Sequence, residues 1–311
     1  MPSLANSNTR GRFGLLIALV LAVAVLTMLR PHFLSSANLL NVIRQISING
    51  MLAVGVTFVL LTAGVDLSLG SVVALAGVLA AHFAHPGDYS LMVPVSVGIL
   101  AGVCCGAING TVVTLGRVAP FIATLGMMTV ARGLALVASD GRPISNMSPA
   151  MKALAGDIGV IPIPAIILAV VALGAWWVLT YTRIGRHIYA VGGNEQAARA
   201  AGIHVGRVKM FAYTACGALT GLAGVVLASR ITTGQPNAGV AYELDAIAAV
   251  VIGGTSLSGG IGTIGGTILG ALLMGVIGNG LDLLNVSAYY QQIVTGLIIV
   301  GAVWLDRKHA K

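Results

Sequence analysis

Charged residues are scarce in this sequence: Asp, Glu, Lys and Arg make up 8% of its 311 residues. Soluble globular domains carry about 25% charged residues, so a chain this poor in charge cannot cover a water-facing surface. The 57% of hydrophobic residues suits lipid, in which long apolar helices keep their backbones hydrogen-bonded. We therefore expect an all-α, polytopic membrane protein whose residues 1–311 form a single transmembrane domain surrounded by lipid.

Cysteine, histidine and lysine are also sparse, and their placement excludes several chemistries. The three cysteines, Cys104, Cys105 and Cys216, lie inside apolar runs, which argues against a disulfide framework or a metal site. The six histidines show no metal-ligand spacing, and no nucleophile stands beside a base. None of the four lysines follows the glycine run of an ATP-binding loop. We expect no enzymatic activity, metal or cofactor in this chain, so any energy must come from another protein.

Apolar runs predict ten membrane-spanning helices, at about 20 residues a span. Their basic flanks explain the net charge of +8 by orientation in the membrane rather than by nucleic-acid binding. The segments lie near residues 13–29, 46–62, 68–84, 91–114, 118–138, 163–180, 210–229, 243–256, 263–283 and 291–305.

The positive-inside rule predicts that both termini are cytoplasmic. The basic residues that carry this prediction flank the first and last spans: Arg10, Arg12, Arg307, Lys308 and Lys311. The most basic internal loop, 182–209, falls on the same side after an even number of spans. Three arginines contradict the rule, because they would lie at the outer face: Arg30, Arg44 and Arg230.

Glycines recur every four residues in two places, 98–110 and 262–270. Such spacing lets helix backbones approach closely, either within one subunit or at a subunit interface. In addition, the sequence at 64–70 resembles that at 254–260. Transporters are often built from repeats with interrupted helices, so both segments, with Asp66, Ser68, Ser256 and Ser258, are candidates for broken helices near a pathway.

The loop at 182–209 contains a predicted short helix. Asn194 suits its N-cap, Glu195 its first turn, and Gly202 its end. An exposed alanine-rich helix of this length is not stable alone, so we expect it to dock against a partner.

An ionisable residue inside an apolar run either stabilises the structure, for example by capping a helix, or has a role in function. Asp66 either caps a helix that starts at Leu67 or lies on a transport pathway. Glu243 and Asp245 suit a helix start, whereas Arg132 inside the fifth span has no identified partner. Aromatic side chains near span ends suit an interfacial belt: Tyr289, Tyr290 and Trp304.

Four segments carry a resemblance to a known family: GVDLSLGS at 64–71, YAVGGNE at 189–195, YELDAIAAVVIGG at 242–254 and VSAYYQ at 286–291. Together they resemble the sugar-type permeases of ABC importers, over nearly the whole chain. The resemblance implies a bacterial inner-membrane protein that imports ribose by alternating access. Other pentoses, galactose-type hexoses or a furanose signal molecule are alternative substrates, and an ion-coupled secondary transporter is the alternative mechanism.

The resemblance also implies partners. These are a second permease subunit, most simply a second copy of this chain, a cytoplasmic ATP-binding subunit and a periplasmic sugar-binding protein. The loop 182–209 matches the position at which such permeases contact the ATPase. The residues expected to couple to it are Gly192, Gly193, Asn194, Glu195, Ala197, Ala198 and Gly202.

Overall fold

The computed structural model describes residues 2–309, with side chains described from 13 to 301 except at 288 and 299. The terminal charges used to predict orientation and Trp304 lie outside the described side chains. Over the described part the chain is a helical bundle with one small hairpin. Its α-helices are α1 (Pro2–Leu29), α2 (Ser36–Leu61), α3 (Leu69–His82), α4 (Met92–Thr114), α5 (Pro120–Ala138), α6 (Pro149–Ala153), α7 (Ile163–Tyr181), α8 (Arg183–Gly193), α9 (Glu195–Ala200), α10 (Val205–Ile231), α11 (Tyr242–Ile252), α12 (Ile264–Leu283) and α13 (Ala288–His309); a 3-10 helix covers Pro31–Leu34, and strands β1 (Asp157–Ile158) and β2 (Ile161–Pro162) form the hairpin.

Each of the ten predicted apolar segments contains a helix, but the helices differ in length. Among the described residues, six helices are long and apolar enough to cross a membrane: α2, α4, α5, α7, α10 and α12. The apolar helix α3 has 14 residues and α11 has 11. At 1.5 Å per residue these are about 21 and 16 Å long, short of the roughly 30 Å of a hydrocarbon core. The architecture is therefore that of an all-α membrane protein. Two of its helices, α3 and α11, are too short to cross a membrane, and we call them the half-length helices.

The helices form two halves with similar packing, and corresponding helices of the two halves run in opposite directions through the bundle. In the first, α3 packs against α4 and α5, and in the second α11 packs against α12 and α13. Across the halves, α10 packs on α4 as α2 packs on α12. Gly55 of α2 contacts Cys216 of α10, and Gly64 beyond α2 lies near Tyr213, so α2 and α10 run antiparallel. The halves α2–α5 and α10–α13 thus form an inverted repeat.

This repeat changes the interpretation of the internal sequence match. The segment 254–260 lies in the non-helical connection 253–263 between α11 and α12, and 64–70 lies in the connection 62–68 between α2 and α3 except for its last two residues, which begin α3. In the repeat, however, the counterpart of 62–68 is 232–241, which joins α10 to α11. The match between 64–70 and 254–260 therefore does not follow the repeat.

The glycine ladders pack helices within one chain. A Cβ at Gly106 of α4 would lie 3.0 Å from the Cα of Gly217 in α10, and Gly102 also abuts Gly217. In the second ladder, a Cβ at Gly270 of α12 would lie 3.0 Å from the backbone nitrogen of Gly253. The backbones meet too closely to leave room for side chains. Of the two interpretations of the glycine spacing, the structure therefore supports helix packing inside the subunit rather than a subunit interface.

Both half-length helices begin deep in the bundle. Gly70, at the start of α3, touches the backbone of Gly239, just before α11. From that meeting point α3 and α11 run to opposite ends of the bundle, because α3 lies beside the end of α10, whereas α11 packs on the start of α12. We name these ends by their short helices, the α6 end and the α8 end.

The long connection between α5 and α7, residues 139–162, lies at the α6 end and is folded onto the bundle. Ser148 donates its backbone N–H to Ala84 over 2.6 Å, and Ile144 pairs with Gly234 in an isolated β-bridge. Arg44 forms an ion pair of 2.6 Å with Asp157 of the hairpin.

Arg230 at the same end donates to the side chain of Asn41 over 3.0 Å. Two of the three arginines that contradict the positive-inside rule are therefore held by local partners.

Candidate functional site

The loop 182–209 folds into two short helices. Thr182 caps α8 by accepting the N–H of Gly185 over 3.2 Å, and Asn194 caps α9 by accepting the N–H of Ala197 over 2.9 Å. Gly202 follows α9 at a φ of +82°, where residues with a Cβ are strained. The helix predicted after Asn194 is confirmed, whereas α8 was not predicted, since its glycines weaken the helical signal.

An ion-pair cluster fixes α9 to the start of α10. Glu195 accepts from Lys209 over 2.7 Å and from Arg199 over 2.8 Å. The hydrogen bond from Lys209 is the main reason why the pKa of Glu195 lies below its ordinary value. Glu195 is thus ionised at neutral pH, and α9 keeps a fixed position beside α10.

The predicted coupling residues fall on two faces of this loop. Gly193, Asn194 and Ala197 are exposed, whereas Ala198 is only 5% exposed and packs in a cluster with Val205. Beside the exposed face runs a groove of ≈ 870 Å³ that is mainly basic. Its charged residues are Arg117, Glu195, Arg199 and Lys209.

Gly192 differs from Gly193 because it is buried where three segments meet. A Cβ at Gly192 would lie 2.9 Å from the carbonyl carbon of Leu61, and it would overlap the nitrogen of Gly260. Gly260 itself donates its N–H to the carbonyl oxygen of Leu61 over 3.0 Å. We call this contact of α8, the end of α2 and the segment 253–263 the glycine junction.

Tyr189 adds a side-chain contact to the glycine junction. Its hydroxyl donates to the carbonyl oxygen of Gly262 over 3.0 Å. Burial raises the pKa of this phenol, so the hydroxyl keeps its proton and remains a donor. The loop that carries α9 is therefore bonded directly to a non-helical segment of the bundle.

Asp66 stabilises the break before α3. Its Oδ1 accepts the backbone N–H of Ser68 over 2.9 Å and the hydroxyl of Ser68 over 2.6 Å. Asn109 donates to that hydroxyl oxygen over 3.1 Å. Asp66 therefore caps the turn before α3 rather than the helix itself, which begins at Leu69 with Ser68 as its N-cap and not at Leu67 as expected. Asp66 is 2% and Ser68 1% exposed, so neither faces open space in this conformation.

Ser256 and Ser258 lie in the other predicted break. The backbone N–H of Ser258 is bonded to Oγ of Ser256 over 3.2 Å, and that of Ser256 to the carbonyl of Ile261 over 2.9 Å. Ser256 is 8% exposed and Ser258 is exposed. These bonds close a tight turn next to the glycine junction. In the same turn a Cβ at Gly259 would lie 2.8 Å from the backbone nitrogen of Ala63, so this segment packs on the start of the break that carries Asp66.

Sequence reasoning missed a second cluster, around segment 232–241. Arg132 donates to the carbonyl oxygens of Pro236 over 2.5 Å and Ala238 over 2.8 Å, which are the partners that the sequence did not reveal. Glu243, in the first turn of α11 as predicted, lies within hydrogen-bonding reach of the N–H of Gly70. The turn at 235–237 signalled the segment, but not that it enters the bundle.

A family model described as "Branched-chain amino acid transport system / permease component" matches residues 38–303. The chain belongs to this permease family. The permease is 46% identical to the ribose import permease protein of Escherichia coli strain K12, over 94% of this chain and 92% of the relative. It is 47% identical to the ribose import permease protein of Bacillus subtilis strain 168, over 96% and 93%.

A D-allose transport system permease protein of Escherichia coli strain K12 is 38% identical over 96% of this chain and 93% of its own length. No solved structure matches the permease. The resemblance to sugar-type importer permeases is confirmed by these relatives. The permease is a multi-pass protein of the inner membrane, and its family consists of transport components rather than enzymes.

Proposed function

We propose that this chain is the permease subunit of an ATP-driven importer for ribose. The observation that carries the proposal is near-complete coverage by two ribose import permeases at 46% and 47% identity. Permease relatives named for D-allose and xylose match at 38% and 34%. The family description names branched-chain amino acids, but these relatives are all named for sugars, which favours a sugar as the substrate.

The proposed topology has ten spans with both termini in the cytoplasm. The basic α8 end is then cytoplasmic, in agreement with the positive-inside rule. Each half-length helix completes a span with the non-helical segment before it. The inverted repeat supports this arrangement, because each break in one half has a counterpart in the other.

The loop 182–209 is the proposed contact with a cytoplasmic ATP-binding subunit. Its exposed face at Gly193, Asn194 and Ala197 would dock, while the ion pairs of Glu195 hold α9 in place. Gly192 and Tyr189 would pass the displacement to the ends of α2 and α11 through the glycine junction. Ala198 supports the loop from inside, and Gly202 ends the docking helix.

Transport would follow alternating access in a pore formed with a second copy of this chain. ATP binding closes the ATPase subunits, the loop 182–209 moves, and the helix breaks at Asp66, Ser68, Ser256 and Ser258 change their packing. A periplasmic sugar-binding protein would deliver the sugar at the α6 end. That end presents a folded surface rather than a loose loop, which suits a docking platform.

Reconstitution tests the proposed function. Proteoliposomes that contain the permease, its ATPase and its binding protein are expected to take up labelled ribose only with ATP, and faster than xylose, D-allose or galactose. Uptake driven by an imposed ion gradient without nucleotide would identify a secondary transporter instead. Passive uptake without either would identify a channel, and preference for another sugar would correct the substrate.

The docking face is tested separately with Ala197→Asp. The side chain is exposed, so the variant is expected to insert and fold normally but to lose co-purification with the ATPase and at least 10-fold in uptake. Ala153→Asp is the matched control for folding and for co-purification with the ATPase, because this alanine is exposed in α6 at the opposite end. Normal ATPase binding by Ala197→Asp would remove α9 from the proposed interface. Ala198→Asp is unsuitable, since that side chain is buried.

A further inference from the structure

Two charged side chains lie deep in the membrane-spanning part of the structure, where the half-length helices meet. Glu243 is in the first turn of α11 and reaches the backbone of Gly70 at the start of α3. From this contact α3 extends for about 21 Å toward the α6 end and α11 for about 16 Å toward the α8 end, so the contact lies in the middle third of the bundle, far from both faces. Arg132, on α5, binds the segment that leads to Glu243.

Neither charge is enclosed by the chain. Arg132 and Glu243 are both of intermediate exposure, and the neighbouring Leu244 is 43% and Val240 65% exposed. On α5, next to Arg132, Gly133 has open space where a side chain would be, and Thr129 is exposed. Charges at this depth face protein or a water-filled cavity, because lipid does not solvate them.

The polar backbone beside these charges leads to the same conclusion. Segment 232–241 is non-helical apart from isolated turns, and such backbone at membrane depth is tolerated only inside protein or along a water-filled cavity. Arg132 satisfies the carbonyls of Pro236 and Ala238, but Val240 remains widely exposed. Lipid contact along this segment is unfavourable because its non-helical backbone presents polar groups that helical hydrogen bonds do not satisfy.

Two of the four predicted pathway residues, Asp66 and Ser68, do not compete for this role in the present conformation. Asp66 and Ser68 are buried and bonded to one another and to Asn109. The surface at Arg132 and Glu243 is open, carries two charges beside the apolar Val240 and Leu244, and lies where both half-length helices start.

We propose that the surface formed by Thr129, Arg132, Val240, Glu243 and Leu244, here called the mid-membrane surface, lines the aqueous sugar pathway. Glu243 links the two half-length helices at this surface, because its carboxylate lies against the N-terminus of α3 while the residue belongs to α11. Toward a neutral monosaccharide in passage, the carboxylate accepts hydrogen bonds from the sugar hydroxyls and the guanidinium donates hydrogen bonds to them. A shift of either half-length helix alters the width of the pathway at this point. The proposal rests on the proposed function of ribose import.

Cysteine accessibility in proteoliposomes of the complete importer tests the mid-membrane surface. In a Cys104→Ser background, which removes the exposed native thiol, Val240→Cys is compared with Val170→Cys. The two valines are equally exposed, at 65%, but Val170 lies on α7, away from the mid-membrane surface. A charged methanethiosulfonate reagent reacts with thiols in water, so Val240→Cys is expected to react at least 10-fold faster than Val170→Cys. Ribose-loaded binding protein with ATP is expected to change only the Val240→Cys rate.

Equal, slow modification of both cysteines would overturn the proposal, because it would place Val240 against lipid or a dry subunit interface. Glu243→Gln keeps the size of the side chain and is expected to fold, hydrolyse ATP and lose at least 5-fold in ribose uptake per ATP. Unchanged uptake per ATP would refute the role of Glu243. If the unmodified importer shows no ATP-driven uptake while Val240→Cys still reacts quickly, the proposed function fails and the aqueous surface stands.

Discussion

Replacing Gly192 by alanine tests whether the glycine junction holds the loop 182–209 on the bundle. The new Cβ would overlap the carbonyl oxygen of Leu61 and lie 2.9 Å from its carbonyl carbon. Non-bonded carbons pack at about 3.5–4.0 Å, so α8 and the end of α2 must separate by at least roughly 0.6–1.1 Å. The overlapped oxygen of Leu61 also accepts the N–H of Gly260 over 3.0 Å, and that bond would be stretched.

The expected cost has two parts. Overpacking destabilises by about 1–3 kcal/mol, and the loss of one hydrogen bond by about 1 kcal/mol, for a total of about 2–4 kcal/mol. Gly193→Ala is the matched control, because its Cβ would meet nothing within 4 Å. It adds helix propensity and is expected to be neutral or stabilising by up to about 1 kcal/mol.

Thermal unfolding of the purified permease in detergent and ATP-driven uptake are the two assays. Gly192→Ala is expected to unfold at a lower temperature than wild type and to lose uptake, while Gly193→Ala matches wild type in unfolding. Identical unfolding temperatures for the two alanine variants would refute the close packing at Gly192. Full uptake by a destabilised Gly192→Ala would refute its role in transmission.

Two further substitutions test other bonds in the bundle. Asp66→Ala leaves the N–H and hydroxyl of Ser68 without their acceptor and is expected to cost about 1–3 kcal/mol in thermal unfolding, whereas Asp66→Asn keeps an acceptor oxygen and costs less; equal losses would argue against the cap. The ion pair of Arg44 and Asp157 is partly exposed, so a double-mutant cycle with Arg44→Met and Asp157→Asn is expected to give a coupling below about 1 kcal/mol, and a larger coupling would contradict this.

Much of the helix arrangement could be predicted from sequence because hydropathy is local. Each of the ten apolar segments contains a helix, and the cap at Asn194 has the predicted bond. Span length is less local: the hydropathy of 243–256 continues past the last helical residue, Ile252. The following glycines end α11 there, since Gly254 has a φ of +87°.

The depth of the half-length helices could not be predicted, because it depends on contacts between distant residues. Gly70 and Gly239 touch although they are far apart in sequence, and Arg132 binds carbonyls in the same remote segment. Neither contact leaves a periodic pattern. For the same reason the sequence identified Asp66, whose partner is two residues away, more readily than the mid-membrane surface. The pathway and coupling roles of the predicted residues remain predictions.

The inverted repeat has a consequence for how the protein is made. Segment 232–252 is unsuited to enter lipid by itself, since α11 spans only about 16 Å and the residues before it lack helical hydrogen bonds. In the folded structure this segment packs against Gly70 and accepts a hydrogen bond from Arg132, so both residues must be present for it to find its position. We therefore expect the first repeat to fold before segment 232–252 takes its place, so that insertion of the second half is completed by folding rather than by hydrophobicity alone.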